Sequence, residues 1–294
     1  MAGEAEQQLR AYVDYLRDMG VHDFYRRGEP VFAGVADNSV VPAAETAVAA
    51  AVVSEVRSLP AVAVEERRAA PVPSRPDYLE PPIPKLVSFN DLAPLPETRV
   101  ADAQKADALA AIHEEIGDCT RCPLAYAGRH KIVFGDGDAN ARLMFVGEGP
   151  GADEDASGIP FVGKAGQLLN NMIQAMGLKR EEVYIANIVK CRPPANRVPE
   201  PVEANTCDQF LLQQIDVVQP QVIVALGSTA ATYLLGVKRS LSALRGQWHS
   251  CRGAKLAVTY HPAFLLRDPT MKGEAWKDLQ RVMAEMGLKA PAKG

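Results

Sequence analysis

The chain has 294 residues, which is enough for one large domain or two ordinary ones. Residues 1–100 contain 11 of the 22 prolines, with 10 basic and 15 acidic side chains, whereas residues 101–294 contain 22 basic and 21 acidic side chains. The first residues, MAGEAEQQLR, are acidic and lack the basic start and apolar core typical of a secretory signal, and no run approaches the roughly 20 apolar residues of a membrane span. We therefore predict a cytoplasmic protein whose five cysteines serve as thiols or metal ligands rather than disulfides.

The first 100 residues divide into a helical segment and a linker. In residues 1–27, apolar side chains recur at helical spacing from Leu9 to Met19, which predicts an amphipathic helix that ends at Gly20. Residues 28–100 are rich in Pro, Ala, Val and charge without a sustained period, which predicts a largely disordered linker. Residues 1–100 carry no recognisable chemistry and are a candidate region for binding a protein partner.

Residues 101–294 alternate between short apolar runs and helical patterns. A helix is predicted over residues 104–116, strands over residues 143–146, 183–189, 222–226 and 256–260, and further helices over residues 163–176, 201–218, 228–235 and 273–286. This order predicts a parallel sheet of four strands with helices on both faces. Ligands bind such sheets at the carboxyl ends of the strands, where this chain carries GEGPG, KCRPPANR, GSTAAT and HPAFLLR.

Four of the cysteines have the spacing of a metal site. Cys119 and Cys122 form a CxxC motif, Cys191 follows the second predicted strand, and Cys207 lies in the helix after it. Four such thiolates suit an iron-sulfur cluster or zinc, and spacing alone does not separate the two. Ordinary buried thiols or a redox pair are the alternative, and Cys251, which has no matching partner, is predicted to be a structural thiol.

The motifs CTRCPL, GEGPG, GIPFVGKAGQLL, NIVKCRPPANRVP and HPAFLLR, together with Cys207, occur in this order between about residues 104 and 286. In this combination the chain resembles the family 4 uracil-DNA glycosylases, the iron-sulfur branch of the uracil-DNA glycosylase superfamily. The resemblance implies a three-layer α/β/α fold and hydrolytic removal of uracil from DNA. It also implies a 4Fe-4S cluster on Cys119, Cys122, Cys191 and Cys207.

The resemblance further implies roles for residues of the strand-end loops. Phe161 would stack on the flipped base, and the Asn187 amide would pair with O4 and N3 of uracil and mismatch cytosine. His261 would donate a hydrogen bond to uracil O2 as negative charge builds up on the departing base, and one such donor is typically worth about 3 kcal/mol. Three glycines would let the loop backbone approach the base, namely Gly147, Gly149 and Gly151.

The activation of water is the least defined step. Gly149 stands where family 1 enzymes carry a water-activating Asp, so the water is expected to be positioned by backbone and by a neighbour, for which Glu148 is the candidate. Glu154 and Asp155 are candidates for shaping the pocket around C5 of the base. Their alternative is a solvated acidic surface, which is the more common role of such a run.

Contacts to DNA are predicted from the same loops. Phe264, Leu265 or Leu266 is a candidate wedge for the gap that the flipped nucleotide leaves. Ala263 replaces a serine of the family 1 motif, which removes one hydroxyl contact to the DNA backbone. The candidates for phosphate contacts are Lys164, Lys190, Arg192, Arg197 and Arg267.

We predict a monomeric, monofunctional uracil-DNA glycosylase that acts on single-stranded DNA and on U:G and U:A duplexes. It would leave an abasic site without strand cleavage, because no lysine lies in a motif position for a Schiff base. One alternative is a uracil-DNA trapping protein of the same superfamily, although KCRPPANR lacks the histidine of that branch and Gly149 replaces its glutamine. The other alternative is a subunit tethered to a repair assembly through residues 1–100.

Overall fold

The structure is a computed structural model that describes residues 86–289. The predicted helix in residues 1–27 and the linker up to residue 85 lie outside the described residues. Helices occur at α1 (Phe89–Leu92), α2 (Lys105–Ile116), α3 (Ala152–Ser157), α4 (Lys164–Ala175), α5 (Pro201–Val218), α6 (Gly227–Leu235), α7 (Leu241–Leu244), α8 (Pro262–Arg267) and α9 (Lys272–Met286). Short 3-10 turns occur at Asp102–Gln104, Pro123–Tyr126, Arg180–Glu182, Pro194–Asn196 and Pro269–Met271.

The described strands form one sheet in the order β1-β3-β2-β4-β6-β5. They are β1 (Asp136–Gly137), β2 (Leu143–Gly147), β3 (Tyr184–Asn187), β4 (Val222–Leu226), β5 (His249–Cys251) and β6 (Ala254–Thr259). The central strands β3, β2, β4 and β6 are parallel, as predicted, while β1 and β5 add an antiparallel strand at each edge. The predicted total of four strands is therefore too low, because two- and three-residue strands are too short to show a period.

The sheet separates two hydrophobic cores, which confirms the three-layer α/β/α fold. Successive side chains of a strand point to opposite faces, so Met144 and Val146 of β2 face one core while Leu143 and Phe145 face the other. Helices α2, α5 and α6 cover the first core, and α4 and α9 cover the second. No helix within residues 86–289 is long and apolar enough to cross a membrane.

Residues 86–100, which the sequence assigns to the linker, pack against the domain. Phe89 of α1 is 1% exposed and joins the first core. Arg252 donates to the carbonyl oxygens of Phe89 and Pro94 and pairs with Asp216, while its own backbone N–H donates to the Asn90 side chain. The packed domain therefore includes residues before 101. The sequence does not reveal this attachment, because its main partner lies about 160 residues away in the chain.

Candidate functional site

A cavity of about 750 Å³ opens at the carboxyl ends of the four parallel strands. Of the nine residues predicted for the base pocket and its water, seven line this cavity: Glu148, Gly149, Gly151, Glu154, Phe161, Asn187 and His261. The other two do not line it: Gly147 is the buried last residue of β2, and Asp155 is buried in α3. The structure thus gathers residues from the end of β3 and from the segments after β2 and β6 at one edge of the sheet, as the topology of such sheets requires.

Asn187 places an amide on the floor of this cavity. It ends β3 on the same face as Ile185, toward the second core, and is 1% exposed. Among the side chains that the structure describes, Asn187 Oδ1 is the one buried nitrogen or oxygen atom without a hydrogen-bond partner. A buried unpaired acceptor typically costs about 1–3 kcal/mol. The site therefore favours a ligand that presents an N–H group to this oxygen.

The Asn187 amide and the Phe161 ring both lie close to Gly147, and we call the part of the cavity beside these two groups the slot. Gly147 pairs with Asn187 across β2 and β3, and a Cβ atom at Gly147 would lie 2.4 Å from Asn187 Oδ1 and 2.6 Å from Phe161 Cζ. A side chain at this position would collide with both groups, so the glycine allows their close approach. The Phe161 ring also lies beside the His261 ring, with centroids 5.6 Å apart and planes tilted by 34°. A flat ligand has an aromatic face and an amide edge available here.

His261 precedes α8, and a backbone hydrogen bond fixes which of its ring nitrogens carries the proton. Its Nδ1 accepts a hydrogen bond from the Ala263 backbone N–H at 3.1 Å, so in the neutral imidazole the proton sits on Nε2. Burial lowers the pKa of His261 to about 4, and the charge of Arg267 acts in the same direction against the weaker opposing effect of Glu154. At neutral pH the ring is therefore an uncharged donor through Nε2.

The Glu154 carboxylate holds the loops of the cavity together. Oε2 accepts from the Gly151 backbone N–H at 3.0 Å, and Oε1 accepts from the backbone N–H groups of Val162 and Gly163 at 2.9 and 3.0 Å. Glu154 thus lines the cavity, but its oxygens are engaged with backbone amides. A direct role at C5 of a base would compete with these three bonds.

Asp155, the neighbouring candidate for shaping the pocket, lies outside the cavity. It is 1% exposed and accepts hydrogen bonds from the His130 ring at 2.6 Å and from the His130 backbone N–H at 2.9 Å. Burial acts to raise the pKa of Asp155, but these hydrogen bonds prevail and lower it. The prediction that Asp155 shapes the pocket is therefore wrong, because the two carboxylates of a helical turn point in different directions.

Glu148 lines the cavity, and its carboxylate has one side-chain hydrogen-bond partner. Its Oε2 accepts a hydrogen bond from the Thr229 hydroxyl at 2.5 Å, which fixes the orientation of the carboxylate. Thr229 belongs to α6, which follows β4 directly. Gly149 contributes backbone alone, and a Cβ atom there would lie 2.8 Å from Val189 Cγ2.

The candidate phosphate contacts differ in their exposure and in the partners they already have within the protein. Lys164 and Arg267 are exposed at the mouth of the cavity. Arg197 lines the cavity but forms a bidentate ion pair with the buried carboxylate of Glu203 at 2.7 and 2.8 Å. Arg192 is half-buried, with its Nε bonded to the Asn196 side chain.

Lys190 is wrongly predicted as a phosphate contact, because it is fully buried. Its ammonium group donates to the Gln214 side chain at 2.6 Å and to the Asn187 carbonyl oxygen at 3.0 Å. Burial lowers the pKa of Lys190 to about 8. The side chain supports the end of β3 from the first core rather than facing DNA.

The three candidate wedge residues of α8 also differ in their exposure and packing. Leu265 is 1% exposed and belongs to the protein interior, and Phe264 stacks on Tyr260 with ring centroids 5.2 Å apart. Leu266 is 43% exposed. Of the three, Leu266 alone is an exposed apolar side chain.

The four predicted ligand cysteines share one region of the domain. Cys191 and Cys207 are buried, and Cys119 and Cys122 are partly buried. Two of the sulfurs already accept hydrogen bonds, Cys191 from Arg129 at 3.4 Å and Cys207 from the Lys190 backbone N–H at 3.3 Å. Burial raises the pKa of Cys207 to about 12, and the charges of Cys191 and Cys122 contribute to the rise. Burial also raises the pKa of Cys122 and of Cys191, so these three thiols disfavour negative charge unless a cation lies among them.

The part of the chain that the structure describes contains no group of three or more His, Cys, Asp or Glu side chains that could hold a metal ion. Cys251 is buried away from these thiols beside Arg252, in agreement with a structural role.

Two residues of this region were missed by the sequence analysis. Thr229 lies in GSTAAT, and its position after a strand was a usable signal. Arg180, which bonds to the backbone of Phe161, lies in an ordinary charged run between α4 and β3. No pattern in the sequence distinguishes it from a surface arginine.

Comparison with known proteins connects this geometry to one family. Residues 134–280 match the family model described as the uracil DNA glycosylase superfamily. A type-4 uracil-DNA glycosylase of Thermotoga maritima is 44% identical over 176 residues, 59% of this chain and 88% of that protein. The type-4 enzymes of Pyrobaculum aerophilum and Archaeoglobus fulgidus are 42% and 38% identical, covering 58% and 63% of this chain and 91% and 96% of theirs.

Proposed function

The chain belongs to the type-4 uracil-DNA glycosylases of the uracil-DNA glycosylase superfamily, and from this premise we propose how it excises uracil from DNA. It hydrolyses the N-glycosidic bond of uracil in single-stranded DNA and in U:G and U:A duplexes and leaves an abasic site. The observation that carries the proposal is the unpaired Asn187 Oδ1 in the slot beside Phe161. Uracil presents an N–H group at N3 beside the acceptor O4, which matches a side-chain amide.

Base recognition combines the slot and the amide. The flipped uracil stacks on Phe161, accepts a hydrogen bond at O4 from the Asn187 Nδ2 group, and donates from N3 to Oδ1. Cytosine carries an amino group at position 4 and an acceptor at N3. Its amino group would therefore face the Nδ2 donor, and its N3 would face the Oδ1 acceptor. A site built around such a pair rejects a mismatched ligand strongly, because buried polar groups are left unpaired.

Bond cleavage depends on the charge that collects on the departing base. The neutral His261 donates from Nε2 toward O2 as the glycosidic bond breaks, and the loss of one such donor typically costs about 10²–10³ in kcat. The low pKa of His261 supports this role, since the donor stays uncharged and needs no proton uptake. Glu148, oriented by Thr229, positions the water that attacks the sugar, as Gly149 has no side chain for this purpose.

DNA binding uses the rim of the cavity. Lys164 and Arg267, which line the cavity, contact phosphates, and the exposed Leu266, next to Arg267 in α8, fills the space that the flipped nucleotide leaves. Such contacts make affinity fall as salt rises, with each neutralised phosphate contributing a slope of about 0.9 in a log–log plot for duplex DNA. Arg197 contributes less, because Glu203 already holds its guanidinium group.

We propose that the four-cysteine region holds a 4Fe-4S cluster, as the resemblance to the family 4 enzymes implies. Cys119, Cys122, Cys191 and Cys207 would hold it, with Arg129 and the Lys190 backbone N–H donating to ligand sulfurs as protein groups commonly do at such clusters. When bound, the cluster supplies bonds that tie the CxxC segment to the loop after β3 and to α5. A monomeric state, a cytoplasmic location and a protein partner for residues 1–100 stay predictions from the sequence.

The proposal is tested by cleavage of uracil-containing oligonucleotides by the purified full chain with its cluster intact. We expect excision by the parent, and strong loss in Asn187→Ala and in His261→Ala with the visible absorbance of the cluster retained. Cys191→Ala should lose both absorbance and fold, whereas Cys251→Ala should retain the absorbance. Intact uracil in all substrates would contradict the proposal. A denaturation-resistant protein–DNA adduct would instead indicate the uracil-trapping alternative.

A further inference from the structure

We infer that Arg180 is a positioning residue that holds Phe161 in the conformation required for stacking on the base. The inference rests on the proposed function, because it concerns the face that Phe161 offers to uracil. Arg180 lies in the 3-10 turn between α4 and β3 and does not line the cavity. It acts on the site through the backbone of the segment at residues 160–163.

The Arg180 guanidinium group binds the carbonyl side of this segment. Nη1 donates to the Phe161 carbonyl oxygen at 3.1 Å, and Nη2 donates to the Pro160 carbonyl oxygen at 2.5 Å. The group is itself oriented by the Asn170 side chain at 2.9 Å and by the Asp136 carboxylate at 3.3 Å. Its side chain is only 20% exposed, so these bonds compete with little water.

The amide side of the same segment is bound by Glu154. As described above, Oε1 of Glu154 accepts from the backbone N–H groups of Val162 and Gly163. Arg180 and Glu154 therefore hold consecutive peptide groups from opposite directions. Between them the segment has little freedom to rotate.

This restraint matters because the backbone of Phe161 is strained. Its φ angle is +54°, a left-handed conformation that is unusual for a bulky residue. Such conformations persist only where the surroundings enforce them. Helix α4 adds a third restraint, because the backbone of its Gly166 packs directly against the Phe161 carbonyl group. The approach is so close that a Cβ atom at Gly166 would lie 1.9 Å from the Phe161 carbonyl oxygen. Without Arg180, the Pro160 and Phe161 carbonyl groups lose their fixed donors, and the restraint on rotation toward an unstrained conformation weakens.

Rotation of this peptide would move the ring out of the slot. The Phe161 ring is placed against Gly147 and beside His261 by its backbone conformation, and it is 5% exposed. A displaced ring leaves uracil without its stacking face but leaves the phosphate contacts at the rim in place. The loss should therefore appear in kcat rather than in KM.

The experiment measures steady-state excision of uracil from a single-stranded oligonucleotide by the full chain. Arg180→Ala should lower kcat about tenfold, within the range of one base–aromatic stack, with KM changed by less than about twofold. Arg180→Lys should recover part of kcat, since an ammonium group can still reach one carbonyl oxygen. Arg142→Ala is the matched control, because Arg142 also donates to a side chain, that of Gln221, and to a backbone carbonyl oxygen, that of Met286. Arg142 precedes β2 and therefore lies at the opposite edge of the sheet from the cavity.

A double-mutant cycle separates positioning from general stability. If Arg180 acts through the ring, Arg180→Ala should cause no further loss of kcat in a Phe161→Ala background. An equal tenfold loss in that background, or an unchanged kcat in the single variant, would overturn the inference. Hydrogen exchange gives a readout that does not depend on excision: the Val162 and Gly163 amides should exchange at least about tenfold faster in Arg180→Ala and unchanged in Arg142→Ala. Unchanged exchange would refute the restraint itself, whereas inactivity of the parent would refute only the proposed function.

Discussion

Replacing Asn187 with alanine should abolish most of the activity without destabilising the protein. The substitution removes the amide that pairs with uracil, and it also removes Oδ1, the buried atom that has no partner among the described residues. Most residues that are 1% exposed contribute to stability, so Asn187 should behave in the opposite way to its neighbours. The reason is that its hydrogen-bonding capacity is reserved for the substrate.

The expected magnitudes follow from the two roles. Loss of paired contacts in a site built for them should lower kcat/KM by about 10²–10³. Removal of an unsatisfied acceptor returns about 1–3 kcal/mol, against which the lost side-chain packing must be set. The deleted atoms border the cavity, so no closed void forms. We expect the free energy of unfolding to stay equal or to rise by about 1 kcal/mol, which for a domain of this size raises Tm by about 2–4 °C.

The assay compares excision kinetics and thermal unfolding at one heating rate and one cluster content. Tyr184→Phe is the matched control on the same strand, because Tyr184 is 2% exposed and its hydroxyl accepts a hydrogen bond from Gln214 at 3.1 Å. This control should keep its activity and lose about 1 kcal/mol of stability. A fall in Tm for Asn187→Ala as large as that of the control would contradict the prediction that the substitution relieves an unpaired acceptor, and the argument for substrate recognition would fail.

Three further predictions concern the histidine, the slot and the wedge. Burial lowers the pKa of His261 from 6.5 to about 4, so as the pH falls His261 becomes protonated in the unfolded chain before it does in the folded protein. The free energy of unfolding should therefore decrease by up to about 3 kcal/mol from pH 6.5 to pH 4. Over the same range kcat should show no break at pH 6.5. Gly147→Ala should lower kcat/KM by about 10² or more, since the added carbon would lie 2.4 Å from Asn187 Oδ1. Leu266→Ala should impair excision from duplex DNA more than from single strands, whereas Leu265→Ala should cost about 2–5 kcal/mol of stability.

Each of these predictions has a control. His261→Gln should remove the pH-dependent loss of stability between pH 6.5 and pH 4, and a break in kcat near pH 6.5 in the parent would show that the ring acts as a cation or base instead. Gly273→Ala should keep full activity, because a Cβ atom at that helical position meets no atom within 4 Å. An equal loss for Leu266→Ala on single-stranded and duplex substrates would rule out a wedge.

The sequence by itself determined the parallel sheet, the order of its elements and the residues that meet at its carboxyl edge. The predicted helix over residues 201–218 agrees with α5 in full, because Pro201 marks its start and a sustained apolar period continues to Val218. The cavity could be predicted for the same reason, since parallel strands end at one edge and each strand-end loop carried a distinctive motif. Glu148, Phe161, Asn187 and His261 all lie where that rule places them.

Only the tertiary structure decided which side chains are exposed and which are buried or already bound to other groups of the protein. Lys190 and Lys164 are both lysines beside strand-end motifs, yet one is buried against Gln214 and the other is exposed. Leu265 and Leu266 are adjacent and chemically identical, and the orientation of α8 alone separates core from surface. Arg180 reaches Phe161 from 19 residues away, through a contact that no local pattern encodes. Periodicity and motifs describe a side chain's position along the chain, whereas its partners depend on distant segments that meet only on folding.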